Sequence, residues 1–388
     1  MRDFTYFTPT KVVFGRNAER EVGRLVSEEN AKKVLLHYGG HSSEKSGLLD
    51  RVRNSLDKCG ISYVALGGVK PNPRLSLVYE GINLCRAENV DFILAVGGGS
   101  VIDSAKAIAY GLAADRDVWD FFCGKAVPAA CAPLGCVLTI AAAGSEMSNS
   151  CVITNEDGWQ KRACDNDISR CRFAIMNPEL TYTLPAYQTS CGCADIIMHT
   201  LERFFHTGST LKITDEICIS LLRTMRNAAQ AVQKTPQEYD IRAEIMWCGS
   251  LAHNGLAACG GGGGDWAVHL IEHEIGGLFD VAHGAGLTAI WGSWARYVCE
   301  KHEERFVYLA NRVFEIEGSG MDTALAGISA MEDFFCSIKM PVSLKGLGIS
   351  PTEDQMREMA RKCVKYGPVG GMEPLGENDV YQILKLAL

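Results

Sequence analysis

Up to about Pro185 the chain alternates short apolar, β-branched runs with segments of helical spacing, and beyond it those runs stop. The runs at 11–14, 34–38, 63–66, 92–96, 136–140 and 173–176 are four or five residues long and almost wholly apolar, as in parallel strands covered on both faces. Between them, 48–59 and 75–88 carry apolar residues three to four apart. Strand–helix alternation of this kind predicts an open, mostly parallel α/β sheet. After Pro185 helical periodicity takes over, as at 215–232 and 303–314, with breaks at Pro236 and Pro341. The expected organisation is α/β plus all-α: an α/β domain over 1–185 and an all-helical domain over 186–388.

Composition narrows the class. The 388 residues, 47% apolar and 22% charged, exclude a disordered or fibrous chain and are enough for two domains. A net charge of −8 without a Lys/Arg cluster argues against nucleic acid as a partner. No window approaches the roughly 18 apolar residues a membrane span needs. The 16 cysteines are scattered without a C-x-x-C pair, and the N-terminus lacks a basic segment followed by an apolar one. The expectation is reduced thiols in a cytoplasmic protein.

The run at 92–96 leads directly into Gly97-Gly98-Gly99-Ser100 and then Val101-Ile102-Asp103. A buried strand, a glycine loop and a helix start favour phosphate oxygens, through unpaired N–H groups and the helix dipole. The loop is neither G-x-G-x-x-G nor a P-loop, and a tight turn without a ligand is the competing reading. A second loop, 39–47, follows the run at 34–38 and reads Gly-Gly-His-Ser-Ser-Glu-Lys-Ser-Gly. Sites for NAD place an acid on the ribose hydroxyls, whereas sites for NADP remove it and offer small polar or basic groups. Ser42, Ser43 and Lys45 with no acid before Glu44 favour NADP(H), if this loop holds the ribose; otherwise it is a polar surface turn.

In the helical half, Asp195 and His199 stand four apart, as do His269 and His273, and His283 follows. Residues four apart share a helix face. Three of only nine histidines fall in the stretch 269–283. An open catalytic site for a divalent transition metal takes three or four nitrogen and oxygen ligands and keeps a vacancy. One carboxylate and several imidazoles from two segments would supply them; histidines merely paired with carboxylates are the alternative. Cys191 and Cys193 lack the spacing of a zinc site.

Over its full length the chain resembles the iron-containing (group III) alcohol dehydrogenases, in particular the NADPH-dependent butanol dehydrogenase branch. The resemblance is carried by Asn72-Pro73-Arg74, the Gly97–Asp103 segment, Gly144-Ser145-Glu146-Met147, the segment from Asn177-Pro178-Glu179 to Pro185, Leu251-Ala252-His253-Asn254-Gly255 and the two histidine segments. It implies a dehydroquinate-synthase-like fold: a dinucleotide-binding α/β domain, a helical metal-binding domain and a cleft between them. It places the metal ligands on Asp195, His199, His269 and His283, for Fe²⁺ or Zn²⁺. His273 falls on an active-site histidine near the nicotinamide that does not bind the metal and is expected to relay a proton. The resemblance assigns Gly39, Gly40 and Ser42 to the adenosine end of NADP(H), and Gly98, Gly99, Ser100 and Asp103 to the pyrophosphate. Asn72, Thr139, Ser145 and Lys161 complete the expected cofactor contacts. The implied activity is reversible hydride transfer between NADP⁺ and a small-molecule primary alcohol, with the aldehyde as the other substrate, in a homodimer.

Two departures from the family pattern stand out. Ala143 replaces the usual Thr before Gly-Ser-Glu, and residues 260–264 are five consecutive glycines, expected to be costly to order and to form a flexible margin of the cleft. Rival expectations are a glycerol-dehydrogenase-like or dehydroquinate-synthase-like enzyme, and a non-catalytic relative with a decayed site.

Overall fold

The computed structural model describes residues 1–206 and 211–388. It divides into two compact units: Phe7–Leu184, and Pro185–Leu388 together with Met1–Tyr6. The first six residues therefore belong to the helical unit and not to the α/β domain expected over 1–185. The Arg2 backbone N–H donates to Gly260 O at 3.0 Å, which anchors this segment to the glycine run.

The α/β unit is built on eight strands: β1 (Lys11–Phe14), β2 (Lys33–Tyr38), β3 (Ser62–Leu66), β4 (Phe92–Gly97), β5 (Leu134–Leu138), β6 (Val152–Asn155), β7 (Gln160–Ala163) and β8 (Phe173–Met176). Six form one sheet in the order β1-β8-β5-β4-β2-β3, with every neighbouring pair parallel. The middle strands β4, β5 and β8 are fully buried, which explains their unbroken apolar runs. Val34, Leu36, Leu94, Val96, Val137 and Ile175 project into a core shared with Val22, Val26, Leu49, Val52 and Leu56 of the helices Val22–Glu28 and Leu48–Lys58.

Two strand details differ from expectation. β5 ends at Leu138 rather than at 140, because its last ladder partner is Gly97, where β4 turns into the glycine loop. The Thr139 N–H still donates to Gly97 O at 3.0 Å, and the chain then departs from the sheet. The hairpin β6–β7 gave no sequence signal: both strands are four residues long, and Gln-Lys-Arg-Ala is polar. Pairing of Thr154 with Lys161, and the Thr154 N–H on Pro73 O at 2.8 Å, fix it in place.

The helical unit contains no strand among the described residues. Its helices include Ala186–Phe204, Tyr239–His253, Ala267–Phe279 and His283–Cys299. Trp294 packs edge-on against Phe205 at 5.2 Å between ring centroids, and Phe306 lies 4.7 Å from Phe205. The Ala186–Phe204 helix is buried continuously from Gly192 to its end, so it is a central rather than a surface helix. No described helix is long and apolar enough to cross a membrane, and no disulfide links cysteines among the described residues.

Candidate metal centre and nucleotide loops

Asp195, His199 and Glu202 follow one another at four- and three-residue spacing on the Ala186–Phe204 helix and so share a face. On Ala267–Phe279, His269 stands three positions before Glu272 and four before His273. That helix ends at Asp280 in a left-handed conformation, φ 51°, and the chain turns back so that His283 opens the next helix. Gly284 makes the approach possible: a Cβ there would lie 2.1 Å from Cys191 O, one turn before Asp195.

The result is convergence on Asp195 Oδ1. His199 Nδ1 lies 3.4 Å from it, His283 Nε2 3.8 Å and His269 Nε2 3.9 Å. Two atoms each about 2.1 Å from one cation stand about 3.4 Å apart at a tetrahedral angle, so these separations suit a shared ion. Ligand-capable atoms of Asp195, His199 and His269 lie within 4.8 Å of one another. Asp195 Oδ1, His199 Nδ1 and His269 Nε2 are buried without a hydrogen-bond partner. Orphaned polar atoms of this kind are costly unless something binds them. The residues present fit a divalent metal.

Carboxylates behind the imidazoles set their tautomers. Glu202 Oε1 accepts from His269 Nδ1 at 2.8 Å and from the His269 backbone N–H at 3.1 Å, while Oε2 accepts from the Trp266 N–H at 2.6 Å. Glu272 pairs with His283 Nδ1. Each pairing directs the lone pair on Nε2 toward Asp195. Burial lowers the basicity of His269, but the Asp195 and Glu202 carboxylates outweigh it and hold the imidazole up at about 9. The pair favours positive charge there, and a proton and a cation compete for it. Burial, reinforced by His253 and His269, pushes His199 well below its ordinary value, so it stands as a neutral donor. Burial raises the Cys191 thiol to about 11 and Cys193 to about 12, which disfavours thiolate ligation.

His273 lies one turn beyond His269, with its ring 5.9 Å from His283; ligand-capable atoms of Glu272, His273 and His283 form a second group within 4.8 Å. Asp195, His199 and His269 are 3–4% exposed and the His283 side chain 27%, so access to the cluster is on the His283 side. Glu202, Glu272 and Trp266 were not singled out in the sequence, and His253 was noted only within a motif of the resemblance, without a role. Glu202 was accessible in the sequence, seven positions after Asp195 on the same helix face.

In the α/β unit the expected nucleotide residues gather at the C-terminal edge of the sheet. β2 leads outward to β3 whereas β4 leads the other way to β5, so the strand order reverses between the adjacent strands β2 and β4. Crevices at such a point receive ligands in open α/β sheets. Gly39, Gly40 and Ser42 follow β2, and Gly98, Gly99 and Ser100 form the start of the Gly99–Leu112 helix after β4. First-turn N–H groups of a helix have no intrahelical partner and are offered at this edge. Ser42–Lys45 is a short helix in which Glu44 accepts from the Tyr38 hydroxyl at 3.2 Å and faces His41 Nδ1 at 3.1 Å. Thr139 leaves β5 at the same edge. Asn72 is buried with φ 53°, and Lys161 is buried on β7.

Asp103, expected at the pyrophosphate, is engaged within the α/β unit. Its Oδ1 accepts from Ser145 Oγ at 2.6 Å and its Oδ2 from the Val152 N–H at 3.1 Å, and burial raises its pKa. The carboxylate faces inward, where it fastens the Ser145 loop and the β6 hairpin; directed at a pyrophosphate it would repel it. Ala143 has a packing role, since a Cβ on Gly99 would lie 3.0 Å from its methyl.

The glycine run is also not the flexible margin expected. Gly260, Gly262, Gly263 and Gly264 all have positive φ. At Gly264, φ is 100° and a Cβ would sit 2.4 Å from Glu202 O. The Asp265 N–H then donates to that same carbonyl at 2.8 Å. The run lays its backbone directly on the helix that carries Asp195 and His199.

A nucleotide-type parallel sheet joined in one chain to a helical unit with a carboxylate–imidazole cluster fits a class of enzymes that combine a nucleotide with a divalent metal. Within it, residues 9–178 match the family described as iron-containing alcohol dehydrogenase, and residues 189–388 match the C-terminal family of Fe-containing alcohol dehydrogenases. The chain belongs to the iron-containing alcohol dehydrogenase family. It is 39% identical to a probable NADH-dependent butanol dehydrogenase 1 of Bacillus subtilis, over 100% of both chains. Identity to an NADPH-dependent aldehyde reductase of Escherichia coli is 32%, covering 97% of this chain and 96% of the relative. Among solved structures, an NADH-dependent butanol dehydrogenase A of Thermotoga maritima superposes with a TM-score of 0.97 at 39% identity, covering 100% and 99%.

Proposed function

We propose that the protein interconverts short- to medium-chain primary alcohols and aldehydes such as butanol and butanal, with NADP(H) as hydride carrier and a divalent metal, Fe²⁺ or Zn²⁺, held by Asp195, His199, His269 and His283. The observation that carries this reading is the convergence of His199, His269 and His283 on Asp195 Oδ1, with three of the donor atoms orphaned. When bound, the metal supplies a Lewis acid for the carbonyl oxygen and the nicotinamide supplies or receives hydride. Glu202 and Glu272 hold the Nδ1 protons of His269 and His283, so that each Nε2 remains a donor. His273 is assigned the proton that the alcohol oxygen gives up or receives, acting through a ring nitrogen. The glycine loop after β4 binds the pyrophosphate through backbone N–H groups.

NADPH is favoured over NADH because Gly39 and Gly40 stand where an acid would meet the ribose hydroxyls, and Glu44 is occupied by Tyr38 and His41. Relatives of both kinds exist, NADH-dependent and NADPH-dependent by name. Steady-state reduction of butanal with each cofactor tests the preference: a higher kcat/KM with NADPH is expected, and a reversed ratio rejects the reading of the 39–47 loop.

A further inference from the structure

Glu202 orients His269 and Glu272 orients His283, whereas His199 is flanked by rings. His253, the last residue of its helix, lies with its ring centroid 4.1 Å from that of His199 and the planes 31° apart. On another side the His269 ring is 4.7 Å from His199. Trp266 closes the group, 5.7 Å from His253 and 6.0 Å from His199, with the Arg203 guanidinium 4.6 Å over its own ring. Arg203 also donates to the His199 carbonyl at 2.9 Å. Directly after His253 the chain turns: Asn254 Oδ1 accepts from the Leu256 N–H at 3.0 Å, and Gly255 has φ 99°. His253 is half-buried and lies outside the Asp195 convergence.

We propose that His253 is a positioning residue for His199. Its ring packs against the His199 imidazole and restrains its rotation, so that Nδ1 stays directed at Asp195 Oδ1 and the cluster retains a divalent cation more tightly. The contact is between two tilted rings at 4.1 Å, and it acts on metal affinity before it acts on turnover. A ring packed this closely restricts the rotation of the neighbouring imidazole, and that ordering cost is then no longer met on metal binding.

This inference rests on the metal reading of the Asp195 cluster, and the test separates the two. Chelator-stripped full-length protein is titrated with Zn²⁺ against a competing chelator for the wild type, His253→Ala and His253→Phe, and with Co²⁺ to record visible absorption bands. His253→Ala is expected to weaken Zn²⁺ binding roughly three- to tenfold and His253→Phe to restore it to within about twofold, the range set by an aromatic pair. The Co²⁺ bands should change in the Ala variant and return in the Phe variant. Unchanged affinity in His253→Ala, or equal weakening in Ala and Phe, overturns the positioning role. A wild-type chain that takes up neither ion overturns the metal reading itself. Should His253→Ala fail to fold by circular dichroism, His253→Leu takes its place as the variant without a ring: weaker Zn²⁺ binding than in His253→Phe supports the positioning role, and equal binding in the two overturns it.

Discussion

At the residue scale, three imidazoles and one carboxylate converge on a common point, and two of the imidazoles are paired with carboxylates that stay outside it. His269 and His283 derive their orientation from Glu202 and Glu272, so removing the ligand and removing its support have different signatures. His269→Ala or His283→Ala is expected to lower turnover by about a thousandfold or more, the order of losing Lewis-acid stabilisation, while NADPH fluorescence titration reports unchanged binding. Undiminished activity in either variant ends the ligand assignment. Glu202→Gln keeps the shape but removes the charge beside His269; metal affinity should fall roughly tenfold or more, read by chelator competition. Helical spacing made the Asp195–His199 and His269–His273 pairs legible in the sequence, while the choice of Asp195, His199, His269 and His283 as a ligand set came from the family resemblance. The supporting glutamates lay on the same faces and were passed over, since a lone Glu on a helix carries no chemistry until its partner is known. The inward turn of Asp103 was equally hidden: its partners, Ser145 and Val152, are more than forty residues away in sequence.

At the element scale, the parallel strands were legible from their apolar runs, whereas the polar β6–β7 hairpin owes its pairing to tertiary contacts that no local pattern records. The glycine run illustrates the opposite error. Five glycines suggest looseness, but positive φ and contact with Glu202 O make Gly264 a position of close packing. Gly264→Ala is expected to cost about 2 kcal/mol or more in unfolding free energy, measured by denaturant titration, from left-handed strain together with the clash. A change within about 0.5 kcal/mol contradicts the packing role. In the sheet, His37 on β2 pairs through Nδ1 with Leu66 O and through Nε2 with Ser104 Oγ, both at 2.9 Å. Burial lowers its pKa from 6.5 to about 4, with the Leu66 carbonyl opposing. The unfolded chain therefore takes up this proton first on acidification. Stability attributable to neutral His37 is intact above pH 6.5, declines as pH falls and is lost below about 4, by roughly 3 kcal/mol in all. Denaturant midpoints across that window should show a shallower decline in His37→Gln than in the wild type; parallel curves refute the assignment to His37.

At the scale of the whole molecule, the change of periodicity near Pro185 separates two chemistries. The α/β unit offers backbone N–H groups and small side chains where the strand order reverses, and the helical unit offers a buried cluster of nitrogen and oxygen donors. Residues Met1–Tyr6 join the helical unit through Gly260, a return that periodicity could not reveal because those residues have no regular structure. Family membership joins the two chemistries into an alcohol dehydrogenase, and the dependence on metal is the claim on which the rest of the proposed reaction stands. Its most direct measurement is butanal-dependent NADPH oxidation by the purified full-length protein, before chelation, after removal of bound metal and after addition of Fe²⁺ or Zn²⁺, with metal content determined at each stage. Activity should disappear with the metal and return when about one ion per chain is restored. Full activity in protein shown to be free of metal would contradict the role assigned to Asp195, His199, His269 and His283.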